Sequence, residues 1–289
     1  MIMRDIPRTV DLDIVNVLVS YSVAICRIRD NDPSTFTPLG SGTFVMRNGL
    51  YGILTAHHCL HECSPEVTIG EQGRDKLLLA LTRDRCLIVD PIGMREHPLA
   101  IPESAEFGSD LTFIEIFPGQ YLDLLKAIVS FWNLDQKHED SALRLSATKS
   151  LIVEAGFPQG NYRTMVEGST IYHELKFLGF VGSLEAGDIS ERGKWDYIKS
   201  TLRYRASEKL PEKLKGVSGG GIWAVKVLLL TNRSEWKIKE YCLVGVAFYE
   251  TETIDSRKDV RGHFVRTIYQ SAWEKLHEGP LLGPRPWSR

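Results

Sequence analysis

Short apolar runs broken by turn-forming residues set the rhythm of this chain. After a polar start, Leu12, Val15 and Val19 recur at helical spacing and predict a short helix within residues 1–18. From residue 21 the pattern shortens to strand length. Runs at 23–29, 42–47, 51–55, 67–70, 77–82, 86–89 and 111–116 are β-rich, and turn signals such as Asp30-Asn31-Asp32-Pro33 and Asn48-Gly49 part them. Between 118 and 145 the composition swings to helix formers and charge, with Leu122, Leu125 and Val129 on one helical face. A second strand-rich set follows at 151–156, 172–183, 197–206, 222–230 and 237–249. The chain closes on Phe264, Ile268, Ala272 and Leu276 at four-residue steps, a predicted helix stopped by Gly279-Pro280. Many short strands separated by turns predict an all-β barrel or sandwich. The pattern divides into an N-terminal extension (1–19), a first β-domain (20–117), a partly helical linker (118–145), a second β-domain (146–262) and a C-terminal helix and tail (263–289).

Composition narrows the classes. The chain has 289 residues, 43% of them hydrophobic and 25% charged, which is enough to build a sizeable core. A formal charge of −2 gives no bulk attraction to nucleic acid or to an anionic membrane, so neither is expected as a partner. The longest apolar stretch, 14–28, is interrupted by Asn16, Ser20, Tyr21 and Ser22, too polar for a membrane span. Asp5, Asp11 and Asp13 stand where a signal peptide would be basic, which predicts a cytoplasmic protein. Its five cysteines, Cys26, Cys59, Cys63, Cys86 and Cys242, are odd in number and lack framework spacing, so reduced thiols are expected.

Three stretches carry candidate chemistry. Gly216-Val217-Ser218-Gly219-Gly220-Gly221 sets a serine on a glycine turn, where its hydroxyl can be exposed and backbone N–H groups can receive a developing negative charge. A serine is inert until a base takes its proton. Leu54-Thr55-Ala56-His57-His58-Cys59-Leu60 offers the base, and Ser109-Asp110-Leu111-Thr112-Phe113-Ile114 a carboxylate to orient it. Each alone also reads as ordinary structure: a turn, a structural histidine, a carboxylate capping a strand. In the order His, Asp, Ser they resemble the signatures of the chymotrypsin/trypsin-like serine peptidases. The resemblance spans about residues 20–277 and lies nearer to bacterial, disulfide-free, intracellular members than to secreted enzymes. It implies two six-stranded antiparallel β-barrels with a C-terminal helix. It also implies a serine endopeptidase that hydrolyses peptide bonds through a Ser218 acyl-enzyme. The substrate would be a protein or peptide, with no cofactor or metal, and regulation by a protein partner is compatible with it.

The same resemblance assigns roles by residue. Alignment of the His-Cys pair selects His58 over His57 as base, Asp110 completes the triad with Ser218, and the backbone N–H groups of Gly216 and Ser218 form the oxyanion hole. A rival reading takes His57, His58, Cys59, His61 and Cys63 as a zinc cluster. Val217 stands where zymogens of the family carry an aspartate, so no activation by a newly cut N-terminus is expected. The substrate pocket would have Glu212 at its base and 245–250 as its wall, bringing in Phe248, Tyr249 and Glu250. Two carboxylates there would favour arginine or lysine, although 208–213 also reads as a solvated loop of mixed charge. Two other functions stay open from the sequence: a catalytically silent peptide-binding domain and a serine esterase.

Overall fold

The first half of the chain alternates buried strands with tight turns. α1 (Arg8–Val19) leads into β1 (Ser22–Ile28), β2 (Phe36–Arg47), β3 (Leu50–Thr55) and the short α2 (His57–His61). Then come β4 (Lys76–Thr82), β5 (Arg85–Val89), a 3₁₀ turn at Pro91–Gly93, β6 (Met94–Ala100), β7 (Leu111–Ile116), α3 (Gln120–Ile128), β8 (Trp132–Asn133) and α4 (His138–Ser146). The second half contributes β9 (Leu151–Gly156), β10 (Arg163–Glu167), β11 (Thr170–Glu174), β12 (Leu178–Ser183), β13 (Ile189–Arg192) and β14 (Trp195–Arg203). It ends with β15 (Gly221–Leu230), β16 (Glu235–Glu250), β17 (Arg257–His263) and α5 (Val265–Tyr269). This computed structural model describes residues 8–28, 36–61, 76–82, 85–101, 109–135, 138–146, 150–159, 162–167, 170–184, 188–203, 214–230, 235–251, 257–274 and 276. The predicted strand at 67–70 lies outside them.

The protein is mostly β, as the pattern predicts. Six antiparallel strands of the second half close into a barrel in the order β12-β9-β15-β16-β17-β14, and the pairs Gly182 with Leu202 and Ser183 with Thr201 seal it. The first half forms an eight-stranded sheet in the order β5-β4-β1-β2-β3-β7-β6, with β8 added in parallel to β2. Asn48 and Gly49 both take positive φ, so the β2–β3 hairpin uses the turn that the Asn-Gly signal predicts. Trp223 of β15, fully buried, meets Tyr21, Trp132 and Tyr241 at ring separations of 5.2–6.2 Å, and this aromatic cluster joins the two halves.

The helices lie outside the sheets. Leu122, Leu125 and Val129 are buried in the core of the first sheet, as their spacing predicts. In α1 the buried residues are Ile14 and Leu18, whereas Leu12 is 55% exposed, so the stripe is rotated from the predicted one. The C-terminal pattern is real but not one helix: α5 has only five residues and a 3₁₀ turn at Ser271–Trp273 follows. Phe264, Ile268 and Ala272 are nevertheless buried. Among the described residues five strands escape the hydrophobic pattern, namely β6, β8, β10, β13 and β17. In β17 the buried positions include Lys258 and Gly262, so its alternation is not one of apolar residues. Among the described residues no helix is long and apolar enough to cross a membrane. Cys26, Cys59, Cys86 and Cys242 are free thiols.

Candidate active site

Sheet register brings the histidine and aspartate segments together. β3 and β7 are antiparallel neighbours with Thr55 opposite Thr112, so the residues that follow β3 and those that precede β7 emerge at the same end. His58 sits in the first turn of α2, and Asp110 is buried immediately before β7. Asp110 accepts two hydrogen bonds from His58. Oδ2 lies 2.5 Å from Nδ1, and Oδ1 takes the backbone N–H at 3.0 Å. The Nδ1 contact fixes the tautomer that leaves Nε2 free to accept a proton. Burial alone would push the His58 pKa down; the bonds to Asp110 and to Cys59 and the negative charge of Asp110 outweigh it and hold it above the ordinary imidazole value.

His57 is differently placed. Its Nδ1 lies 2.7 Å from Thr112 Oγ1, and burial together with the neighbouring His61 holds its pKa below the ordinary value. Of the two adjacent histidines, His58 is the one bonded to Asp110.

The serine loop reaches this place from the other half of the chain, and β2 clamps it. Ser41 N–H donates to the Ser218 carbonyl at 2.8 Å, and Ser41 Oγ–H donates to the Gly216 carbonyl at 2.6 Å. The same Oγ accepts the Phe157 N–H at 2.8 Å, and Thr55 Oγ1 donates to the Ser41 carbonyl at 2.7 Å. Cys59 Sγ, 3.9 Å from His58 Nε2, donates to the Ser218 carbonyl at 3.4 Å. His58 and the Ser218 backbone therefore share a neighbour. The Ser218 side chain is half-exposed and makes no hydrogen bond with His58 Nε2 in this state.

Two glycines are required by geometry. Gly219 has φ +85°, and a Cβ there would meet the Ser41 carbonyl oxygen at 2.1 Å and Thr55 Oγ1 at 2.2 Å. Gly216 has φ +98°, and a Cβ would meet the Phe157 carbonyl oxygen at 2.7 Å. Around the serine the backbone donors alternate. Val217 N–H binds the Leu214 carbonyl, Gly219 N–H that of Ala247, and Gly220 N–H that of Val217, whereas among the described residues the Gly216 and Ser218 N–H groups go to no backbone carbonyl. Val217 itself is buried in the apolar core.

The wall segment 245–250 falls at the end of β16, beside the serine loop: Ala247 exchanges backbone bonds with Gly219 and Gly220. Phe248 is buried, its ring 5.1 Å from that of His263. Tyr249 is half-buried under the Arg261 guanidinium. Glu250, read from the sequence as a wall carboxylate, ends β16, and its Oε2 lies 2.8 Å from Nζ of the buried Lys258 and accepts the Leu214 N–H at 2.8 Å. An ion pair built this way satisfies the charge internally. Glu212 lies outside the described residues.

Sequence reasoning missed two residues of the site. Ser41 is one, although the Gly40-Ser41-Gly42 triplet hints at close backbone approach. The other is His263 at the end of β17. Its Nε2 accepts the Asp110 N–H at 2.9 Å, and Trp195, Tyr197 and Phe248 surround its ring. Burial pushes its pKa down to about 4 despite Asp110 and Asp196 nearby, so the ring is neutral and acts as an acceptor.

A cavity of about 400 Å³ opens beside the pair, lined by His58 and Cys59, by Thr37, Pro38 and Leu39, and by Gln159, Tyr162 and Lys215. Gln159 is fixed there, its N–H on the Lys215 carbonyl at 2.6 Å and its Nε2 on the Pro38 carbonyl at 2.9 Å. Compared with models of known protein families and with curated proteins, the chain matches none, so its functional reading rests on this geometry.

Proposed function

We propose that this chain is a serine peptidase of the chymotrypsin type. The observation that carries the reading is the double hydrogen bond from His58 to Asp110, set beside a glycine-rich serine loop. In this reading Ser218 attacks the scissile carbonyl, His58 takes its proton and returns it to the leaving amine, and Asp110 stabilises the imidazolium formed between. The N–H groups of Gly216 and Ser218, which bond to no backbone carbonyl among the described residues, receive the oxyanion. The fold supports this at a finer level. β5 and β6 are separated by Asp90 and a single 3₁₀ turn, and this reading takes them as one bent strand, which would close the first sheet into a second six-stranded barrel.

A fluorophosphonate probe tests the chemistry directly. Intact mass and peptide mapping are expected to show one adduct on Ser218 in the wild type and none in Ser218→Ala or His58→Ala. An unlabelled wild type that still binds peptides makes the chain a silent binding module, the reading favoured by the missing Ser218–His58 hydrogen bond. Rapid labelling with ester turnover but no peptide cleavage makes it an esterase.

The pairing of Glu250 with Lys258 removes one of the two carboxylates on which an arginine or lysine preference would depend. The cavity suggests a different selectivity. The wall residues Phe248, Tyr249 and Glu250 do not line it, so it would take the substrate beyond the scissile bond, on the leaving-group side. Lys215 is the charged residue at its rim and is exposed. Peptides with an acidic residue just after the cleavage point should be cleaved roughly 2–5-fold better, the value of an exposed ion pair. High salt should erode the preference and Lys215→Glu reverse it. A peptide-library profile unchanged by Lys215→Glu would remove Lys215 from the site.

A further inference from the structure

His57 and His61 are one helical turn apart on α2, so their imidazoles share a face, with ring centres 4.2 Å apart and planes 30° from parallel. Glu96 of β6 stands opposite them, its side chain only 5% exposed. Its Oε1 lies 2.6 Å from His61 Nε2 and 3.8 Å from His57 Nδ1, while Oε2 is buried with no hydrogen-bond partner. A buried carboxylate oxygen without a partner costs stability and calls for an occupant. Two imidazoles and one carboxylate are the donors a zinc-class ion takes. One ligand atom from each of the three lies within 4.8 Å of the others, against a separation of about 3.3 Å around a tetrahedral ion with bonds of about 2.0–2.1 Å.

We propose that His57, His61 and Glu96 form a binding site for a zinc-class divalent cation that ties α2, the helix bearing His58, to β6. The partial exposure of the two histidines, 12% and 23%, provides an entry route and leaves a fourth position for water. Ligation through Nδ1, the His57 nitrogen 3.8 Å from Glu96, exchanges its 2.7 Å hydrogen bond with Thr112 Oγ1 for the bond to the ion. The ligand set differs from the one drawn from sequence alone. His58 is committed to Asp110 and Cys59 to the Ser218 carbonyl, Cys63 lies outside the described residues, and Glu96 arrives from another strand.

The test uses tag-free, chelator-treated full-length chain. Calorimetric titration with Zn²⁺ should show one equivalent bound with a rise in Tm, and Co²⁺ should give tetrahedral d–d absorption without a thiolate charge-transfer band. His61→Ala and the near-isosteric Glu96→Gln should each weaken Zn²⁺ binding at least 10-fold and abolish the Tm rise, whereas Cys86→Ser should leave both intact. Circular dichroism of each metal-free variant checks its fold. Should either fail to fold, protection of His57 and His61 from diethyl pyrocarbonate by Zn²⁺ in the wild type reads the same ligands. Wild type that binds no Zn²⁺ at millimolar concentration, binding unchanged in both variants, or a thiolate band lost on cysteine substitution would each overturn the site.

Discussion

Ser218→Ala, His58→Ala and Asp110→Asn should each lower kcat/KM for a peptide substrate by about 10⁴-fold or more, roughly 5.5 kcal/mol of transition-state stabilisation. The aspartate variant is the most informative. Asp110 presents two acceptor oxygens to two donors of His58, its Nδ1–H and its backbone N–H, and asparagine supplies one oxygen and one NH₂. One contact must then become donor against donor, unless the imidazole moves its proton to Nε2 and loses the free nitrogen that acts as base. The pH profile gives a second readout. The base works only when neutral, so a His58 pKa raised by Asp110 places the acid limb of kcat/KM above the ordinary imidazole value of about 6.5. In Asp110→Asn the limb should move down. His57→Ala, whose ring bonds to Thr112 and not to Asp110, should stay within about 10-fold of wild type. A dead His57→Ala beside an active His58→Ala would reverse the assignment of the base.

Acid should destabilise the protein through His263 before most carboxylates titrate. Fully buried in the fold, the ring is held neutral with a pKa of about 4, against about 6.5 in the unfolded chain. Below pH 6.5 the unfolded state binds the additional proton, so this contribution is complete above 6.5 and is lost as pH falls towards 4, a total of about 3 kcal/mol. His58 acts in the opposite sense and in another window: with its folded pKa raised, its contribution is complete below 6.5 and lost as pH rises through the folded value. Urea denaturation at a series of pH values from 4 to 8 separates the two. His263→Gln keeps an acceptor for the Asp110 N–H and removes the titration, so its stability should fall less steeply than that of wild type between pH 6.5 and 4. Parallel slopes would show that His263 does not govern acid sensitivity. Activity of His263→Gln at pH 8 reports separately on how firmly the ring positions Asp110.

The hydrophobic pattern was sufficient for what local energetics decide. The mostly β character, the Asn48-Gly49 hairpin and the buried face of α3 at Leu122, Leu125 and Val129 all follow from side-chain periodicity and turn chemistry close along the chain. Where burial chose polar or small side chains the pattern was silent. β17 reads as charged because Lys258 is buried against Glu250 and Gly262 has no side chain to show, so a central barrel strand carries no apolar alternation. The long-range pairings belong to the tertiary structure alone. Ser41 meets Gly216 across 175 residues and Asp110 meets His263 across 153, and each is polar, so nothing in its own neighbourhood marks it as buried. Glu250 shows the converse. A carboxylate expected at a pocket wall became half of an ion pair, because the register of β16 with β17 brought Lys258 close to it. The sequence determined which groups could do chemistry, whereas closure of the barrel and the register of β3 against β7 decided which of them meet, since the free energy of a polar contact depends on a partner that only the folded chain supplies.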